Sequence, residues 1–278
     1  MKFSPIRYLL FALPILGLTF TSCDEVSESD RLIPVESVTP ARAILLEDFT
    51  GQTCRNCPDA HDVIHTLQEQ YGEAVIAVSI HAGAFGVAVG SADYVGLMQP
   101  EGNEYDARYN SLQSWPAGVV NRTGGTLNHD GWAEAVRKAI TAEPTVAIDL
   151  EATLSDDGKT INIATTLRPT ANISGKLQLW ITEDGIVSMQ RNGRNWIADY
   201  VHNHVYRAAV NGTWGEDVKL TSGVHADYNH SIAVRDSKDE KWDTAKLSVI
   251  AFVYNESEGV LQAARVSLLP AGNGGEGE

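Results

Sequence analysis

The sequence predicts an α/β domain followed by an all-β domain, because its hydrophobic pattern changes part-way along the chain. Residues 42–80 have the pattern of a strand, a helix and a second strand, with a Cys-x-x-Cys motif where the helix begins. From Pro144 onward, apolar and polar residues alternate with a period of two in several short runs, which is typical of antiparallel strands. We therefore expect domains at 42–143 and 144–270.

The chain has 278 residues, which is enough for two modest domains, and its formal net charge is -15. An acidic surface repels the phosphates of nucleic acids, so we expect no nucleic-acid partner. The ordinary consequence of such a charge is solubility of the folded part.

The first 22 residues are typical of a signal peptide. Lys2 and Arg7 precede an apolar run over residues 8–20, which is too short to span a bilayer comfortably. The run leads into Cys23 through two small residues, which resembles a bacterial lipobox, where the cysteine is lipidated and becomes the first residue of the mature protein. Ordinary cleavage near Ser22, which leaves an odd cysteine, is the alternative.

Residues 23–41 are acidic, rich in serine and interrupted by proline, which predicts a disordered tether. An acidic run directly after the lipidated cysteine resembles the export signal of surface lipoproteins in Bacteroidetes. We therefore expect an outer-membrane lipoprotein held by a lipid anchor. Whether it faces the periplasm or the cell surface stays open at this point.

Two more cysteines, Cys54 and Cys57, lie two residues apart, and with Cys23 lipidated they can pair only with each other. Disulfides persist outside the cytoplasm. So short a loop adds little chain-entropy stabilisation, which favours redox chemistry or metal binding over a structural staple.

The flanks of the pair favour redox chemistry. Residues 42–49 and 73–80 are apolar runs that predict buried strands, and residues 54–71 have apolar positions at helical spacing. Cys54 at a helix N-terminus would be the exposed nucleophile with a lowered pKa, and Cys57 the shielded resolving thiol. A strand, a Cys-x-x-Cys helix and a strand form the start of a thioredoxin fold.

The resemblance to thioredoxins implies further site residues. Asp48, six residues before Cys54, falls where thioredoxins carry a buried carboxylate that takes the proton of the resolving cysteine. Glu47 is the alternative if the strand register differs by one. Pro116, after Trp115, falls where thioredoxins place a cis-proline against the disulfide. A closing helix fits residues 129–141.

Three departures from the thioredoxin pattern affect the redox potential and the choice of partner more than the fold. Thr53 stands where thioredoxins carry tryptophan, and Arg55–Asn56 replaces the usual Gly-Pro dipeptide. About twenty additional residues around 91–110 precede Pro116.

A zinc site is the competing hypothesis for the cysteine pair. Cys54, Cys57, His61 and His65 have the ligand types of a tetrahedral zinc centre. A regular helix, however, spreads the last three along its axis, and closing a tetrahedron would require its first turn to unwind. We expect no metal and no cofactor.

The second half predicts a β-sandwich of immunoglobulin-like type, followed by a disordered tail at 271–278. His202 and His204 would lie on one face of an extended strand, about 7 Å apart. They are either strand-face residues paired with local carboxylates or part of a metal site with His225 or His230. Thr244 lies in an Asp-Thr-Ala pattern that matches the O-glycosylation acceptors of Bacteroidetes.

Several segments together resemble one family. The lipoprotein signal, "EDFTGQTCRNCP", "WPAGVVNR" and "YVHNHVYRAAVNGTWGE" are similar to the outer-membrane-protein-28-related lipoproteins of Bacteroidetes. The resemblance implies a thioredoxin-like domain joined to a β-sandwich on an outer-membrane lipoprotein, and it implies no particular substrate.

Two hypotheses for function stand. In the first, the chain is a thiol–disulfide oxidoreductase that acts on protein thiols and disulfides through Cys54, Cys57, Asp48 and Pro116. In the second, it is a surface-binding or adhesive lipoprotein in which the Cys54–Cys57 disulfide is structural. The intact Cys-x-x-Cys with its carboxylate favours the first, whereas the missing tryptophan, the large β domain and the surface address favour the second.

Overall fold

A computed structural model describes residues 42–110 and 112–268 of the chain, and all of them lie within one compact unit. Cys23, the predicted signal peptide and tether, and the predicted tail lie outside the described residues. Among the described residues strands dominate, so the fold is β-rich.

The described part of the chain has three α-helices and fourteen strands. The helices are α1 (Cys57–Tyr71), α2 (Pro100–Tyr109) and α3 (Trp132–Ala139). The strands are β1 (Ile44–Thr50), β2 (Val75–His81), β3 (Ala117–Val120), β4 (Thr123–Leu127), β5 (Val146–Leu154), β6 (Thr160–Pro169), β7 (Ile173–Glu183), β8 (Ile186–Asn192), β9 (Asn195–His202), β10 (Val205–Ala209), β11 (Glu216–Leu220), β12 (Ala226–Ala233), β13 (Leu247–Asn255) and β14 (Gly259–Ser267).

One mixed sheet runs through the molecule in the order β14-β13-β7-β10-β2-β1-β3-β4, and β11 also pairs with β7. β1 and β2 are parallel, whereas β3 is antiparallel to β1. β10 joins the two halves by pairing parallel with β2 at Val205 and Ser79. The sheet therefore continues past the predicted boundary at 143/144, which falls between α3 and β5. The division into two domains stays a prediction.

The faces of this sheet follow from its sequence. β1 and β2 are buried along their whole length, as their uninterrupted apolar runs require. Alternate residues point to opposite faces, so Leu45 and Phe49 join one apolar cluster and Ile44 and Leu46 join another. The first cluster contains Tyr105 of α2, and the second packs against α1 and α3.

The period-two region forms a β-sandwich, as predicted. β5, β6 and β12 make a separate three-stranded sheet. Its inward side chains share one apolar cluster with those of β7 and β13, including Ile161, Ile163, Leu179 and Val249. Burial alternates along β6, which is the pattern of a strand with one face in the core.

A buried ion pair links β1 to the turn between β3 and β4. Arg122 occupies the tight turn between β3 and β4 and forms two hydrogen bonds of 2.9 Å to the carboxylate of Glu47. Both side chains are at most 1% exposed. Five aromatic rings surround the guanidinium, at distances to the ring centroids from 4.5 Å for Tyr254 to 5.9 Å for Tyr105. Burial acts to lower the pKa of Arg122, but Glu47 outweighs it, so the pKa is raised and the group stays charged.

Close backbone contacts hold this turn in place. Asn121 and Arg122 have φ angles of 50° and 56°, the left-handed conformation that a two-residue hairpin turn needs. The carbonyl oxygen of Asn121 accepts a hydrogen bond from the Val260 amide at 2.8 Å. A Cβ atom at Gly259 would lie 2.2 Å from that oxygen, so only glycine fits there.

Arg122→Met should destabilise the protein by about 3–5 kcal/mol, because it leaves the Glu47 carboxylate buried without its partner. Urea unfolding at neutral pH measures the loss. The matched control is Arg137→Met, which breaks an exposed ion pair with Glu134 on α3 and should leave the unfolding midpoint unchanged. Equal effects of the two substitutions would contradict a structural role for the buried pair.

Candidate functional site

Cys54 and Cys57 form a disulfide at the junction of β1 and α1, with their Cα atoms 5.5 Å apart. α1 begins at Cys57, with Pro58 in its first turn, so Cys54 lies three residues before the helix rather than at its N-terminus. Proline in the first turn explains this start, because its missing N–H is not needed there.

The expectation of an exposed Cys54 is wrong, since Cys54 is 2% exposed and Cys57 is fully buried. The cause is the hairpin formed by β8 and β9, a two-stranded sheet of its own. The side-chain amide of Gln190 on β8 donates to the carbonyl of Cys54 at 2.9 Å. Backbone bonds of 2.8 Å from Arg191 to Gln52 and from Gly193 to Arg55 complete the contact.

Gln52 connects the cysteine loop by hydrogen bonds to residues 95–97 and to β8. It is fully buried, and its amide nitrogen donates to the carbonyl of Val95 and to the hydroxyl of Ser188, both at 2.9 Å. Its amide oxygen accepts from the Leu97 backbone at 3.0 Å. The additional residues before Pro116 therefore contribute to the cover over the cysteine loop.

Asp48 lies on the side of β1 that faces α1. It is fully buried, and neither carboxyl oxygen has a hydrogen-bond partner among the described residues. Its Oδ2 atom lies 3.7 Å from Nε2 of His61. His61 follows Cys57 by four residues, so this contact places the carboxyl against the cysteine-bearing face of α1. Burial raises the pKa of Asp48 well above its usual range.

Glu47 points to the opposite face of the sheet, into the ion pair with Arg122. The register therefore gives the position near the cysteines to Asp48 and not to Glu47, the alternative left open by the sequence. Alternation along β1 accounts for the difference, because successive side chains of a strand point to opposite faces.

Both ring nitrogens of His61 have polar neighbours. Nδ1 lies 2.7 Å from the hydroxyl of Tyr200 on β9, and Nε2 lies 3.3 Å from the hydroxyl of Thr50. Burial lowers the pKa of His61 to about 3, helped by His202 and His204, so the ring is neutral near pH 7. Burial raises the pKa of Tyr200 to about 12, which keeps the phenol protonated.

Two more buried histidines extend this polar cluster. The ring of His81, at the end of β2, packs edge-on against that of His202, with 5.3 Å between centroids. Neither nitrogen of His81 has a hydrogen-bond partner among the described residues. Burial lowers the pKa values of both histidines, so they add polarity without charge.

Pro116 directly precedes β3, and the Trp115–Pro116 peptide bond is cis. β3 pairs with β1 through Ala117 and Phe49, so Pro116 stands beside the end of β1 where the cysteine loop starts. The Trp115 ring packs against that of Phe85, whose carbonyl accepts a 3.0 Å hydrogen bond from the Thr53 amide.

The prediction that His202 and His204 lie on one face of a strand is wrong. β9 ends at His202, and His204 has a φ angle of 58°, which turns the chain before β10. His202 is buried in the polar cluster, whereas His204 pairs with Asp184 at 3.1 Å. His230, an alternative metal ligand in the sequence interpretation, lies 2.7 Å from Glu216.

Within residues 42–110 and 112–268, no group of three or more His, Cys, Asp or Glu side chains is arranged to hold a metal ion. His65 has a 74% exposed side chain and lies 3.6 Å from Glu69. Thr244 begins a short 3₁₀ turn after Asp243, and its glycosylation stays a prediction.

Comparison with known proteins identifies the family. Residues 102–270 match the family model described as outer membrane protein Omp28. The chain belongs to the Omp28 family. The family confirms the predicted outer-membrane localisation, whereas lipidation of Cys23 and exposure at the cell surface stay predictions. No described helix has the length and apolar character needed to cross a membrane.

Two solved structures are similar to this Omp28-family chain. HBP35 of Porphyromonas gingivalis has 15% identity and a TM-score of 0.66, over 85% of this chain and 79% of that one. A domain of the outer membrane lipoprotein Omp28 from the same organism has 23% identity and a TM-score of 0.34, over 46% of this chain and 90% of that one. A search of curated protein sequences finds no match. The HBP35 comparison supports the fold alone.

Sequence reasoning missed Gln52, Gln190 and Tyr200. A lone glutamine carries no motif, and the hairpin that brings Gln190 to Cys54 and Tyr200 to His61 comes more than a hundred residues later in the chain. Of the polar residues around the cysteines, His61 could be expected from the sequence, because it follows Cys57 by four residues and therefore shares its helix face.

Gln190→Ala should expose the disulfide and speed its reduction by dithiothreitol on the order of tenfold, because losing a buried hydrogen-bonding group costs roughly 1–3 kcal/mol. The rate of thiol release measures the effect. Arg194→Ala, at an exposed position of the same hairpin, is the control and should leave the rate unchanged. An unchanged rate for Gln190→Ala would show that the hairpin does not limit access.

Asp48→Asn should raise the free energy of unfolding at neutral pH. The folded protein binds the Asp48 proton more tightly than the unfolded chain, so stability falls as the pH rises from the unfolded pKa through the folded one. The gain should shrink as the pH approaches roughly 4, the usual pKa of an aspartic acid. Urea titrations at several pH values measure it, with exposed Asp199→Asn as control. A loss of stability at neutral pH would contradict the raised pKa.

Proposed function

We propose that this chain performs thiol–disulfide exchange with proteins outside the cytoplasm, through Cys54 and Cys57 on a thioredoxin-like scaffold. The scaffold assignment rests on β1, the cysteine loop, α1 and the parallel β2, together with the cis-proline before the antiparallel β3. Protein thiols and disulfides are the proposed partners.

The observation that carries the proposal is the buried Asp48 carboxyl without a hydrogen-bond partner among the described residues. Burying a polar group that is not hydrogen-bonded costs stability. A disulfide that only closes a short loop needs no such group nearby, whereas exchange chemistry needs a proton donor and acceptor beside the shielded sulfur.

The proposed reduction of the pair proceeds in two steps. A partner thiolate attacks Cys54 Sγ, forming a mixed disulfide as the Cys54–Cys57 bond breaks, and Cys57 leaves as a thiolate that takes the proton of Asp48. A second partner thiolate then attacks the partner sulfur of the mixed disulfide and releases Cys54. The partner dithiol is thereby oxidised to a disulfide, and the reverse sequence oxidises the pair.

This mechanism requires that a protein substrate can reach Cys54. Cys54 is 2% exposed beneath Gln190, so a protein substrate reaches it only when the β8–β9 hairpin moves aside. The hairpin forms its own two-stranded sheet, so it can move without breaking the large sheet.

The second candidate, a surface-binding lipoprotein with a structural disulfide, is favoured by the burial of Cys54. On that hypothesis the hairpin is permanent cover, and the β-sandwich supplies the binding surface. The two candidates differ in whether the covered sulfur reacts with another protein.

Cys57→Ser should form a lasting mixed disulfide with a labelled peptide that carries one exposed disulfide, because Cys54 attacks and no resolving thiol remains. Cys54→Ser should form none, and gel shift under non-reducing conditions measures both. If Cys57→Ser forms no adduct although alkylation shows Cys54 to be free, the structural hypothesis replaces exchange.

A further inference from the structure

His61 stands between the buried carboxyl and a cavity at the surface. The cavity has a volume of about 200 Å³ and is lined by His61, Tyr200, Gln68, Ser79 and His204. The His61 side chain is 18% exposed, whereas that of Asp48 is fully buried. The His61 ring therefore contacts both the buried carboxyl and the cavity, and offers a route for a proton between them.

The contacts of His61 suit proton transfer better than simple packing. Nδ1 is held by the Tyr200 hydroxyl at 2.7 Å, and Nε2 is directed at Asp48 Oδ2 and Thr50 Oγ1, at 3.7 and 3.3 Å. The 3.7 Å separation needs to shorten by roughly 0.5–1 Å to become a hydrogen bond. Such contacts commonly tighten when a reaction site is engaged.

We propose that Tyr200 and His61 form a proton relay that connects Asp48 to solvent during exchange at the cysteine pair. The relay rests on the proposed exchange function. When Asp48 has given its proton to the Cys57 thiolate, its carboxylate takes the Nε2 proton of His61. Nδ1 takes the proton of the Tyr200 hydroxyl, and water in the cavity returns a proton to the phenol oxygen. One proton enters for each Cys57 thiolate that is protonated.

The surroundings keep the relay uncharged in the resting state. Titratable residues from other elements lie near His61 or its neighbours: Tyr200 and His202 from β9, His204 before β10, and His81 from β2. Asp62 lies on the same helix as His61. A neutral imidazole can accept on one nitrogen while it donates from the other, which an imidazolium cannot do.

The first test measures reduction of the disulfide by dithiothreitol, as a function of pH and in heavy water. Tyr200→Phe removes one hydroxyl and should slow reduction on the order of tenfold near pH 7, with a changed pH profile and a smaller solvent isotope effect. His65→Ala, on the same helix with a 74% exposed side chain, is the control and should match the wild type.

The second test is rescue by a free base. His61→Ala should be slow, and added imidazole should restore at least half of the wild-type rate by entering the cavity. A merely structural role for His61 predicts no rescue. Because Tyr200→Phe keeps the ring and the shape, it remains informative if His61→Ala folds poorly.

Failure of the relay can be told apart from failure of exchange. If Asp48→Asn slows reduction but Tyr200→Phe and His61→Ala do not, the relay is overturned and exchange stands. If the wild type forms no mixed disulfide with the peptide probe and Asp48→Asn leaves its reduction rate unchanged, both proposals fall.

Discussion

The buried ion pair between Glu47 and Arg122 constrains the arrangement of everything around it. A charge in an apolar core is tolerated only beside its partner, and here the partner lies in a tight turn that also contacts β14. A shift of β1 by one residue would put Asp48 among the aromatic rings and Glu47 under α1, without its guanidinium. The ion pair therefore fixes which carboxyl faces the cysteines.

The same register explains why the two faces of β1 differ in character. On one face the Glu47 carboxylate is balanced by the Arg122 guanidinium, which aromatic rings surround. On the other, Asp48 and His81 are buried without hydrogen-bond partners among the described residues. Burial shifts the pKa values of Asp48, His81 and the adjacent His61 toward the neutral form. An arrangement that costs stability is expected at reactive sites and not in ordinary cores.

Local patterns in the sequence predicted the local structure well. The apolar runs of β1 and β2, the helix after Cys57 and the alternation that forms the sandwich all depend on near neighbours. The cover over the cysteines was not predictable in this way, because Gln190 and Tyr200 are distant in sequence and reach the site only through the tertiary fold. His204 was predicted to share a strand face with His202, but the positive φ angle of His204 itself ends the extended conformation. Asp48 was identified through its resemblance to thioredoxins, and only the register excluded Glu47.

The position of β10 beside β2 has a consequence for the order of assembly. Synthesis delivers the N-terminal residues first, so β1 to β4 exist before β10 can cover the open edge of β2. Residues 186–202, which close over the cysteine loop, also emerge after it. When the chain is exported in the same order, the cysteine loop leaves the cytoplasm before its cover does, and oxidants outside the cytoplasm can reach both sulfur atoms. The disulfide can thus form before residues 186–202 are in place, and the β8–β9 hairpin then covers it.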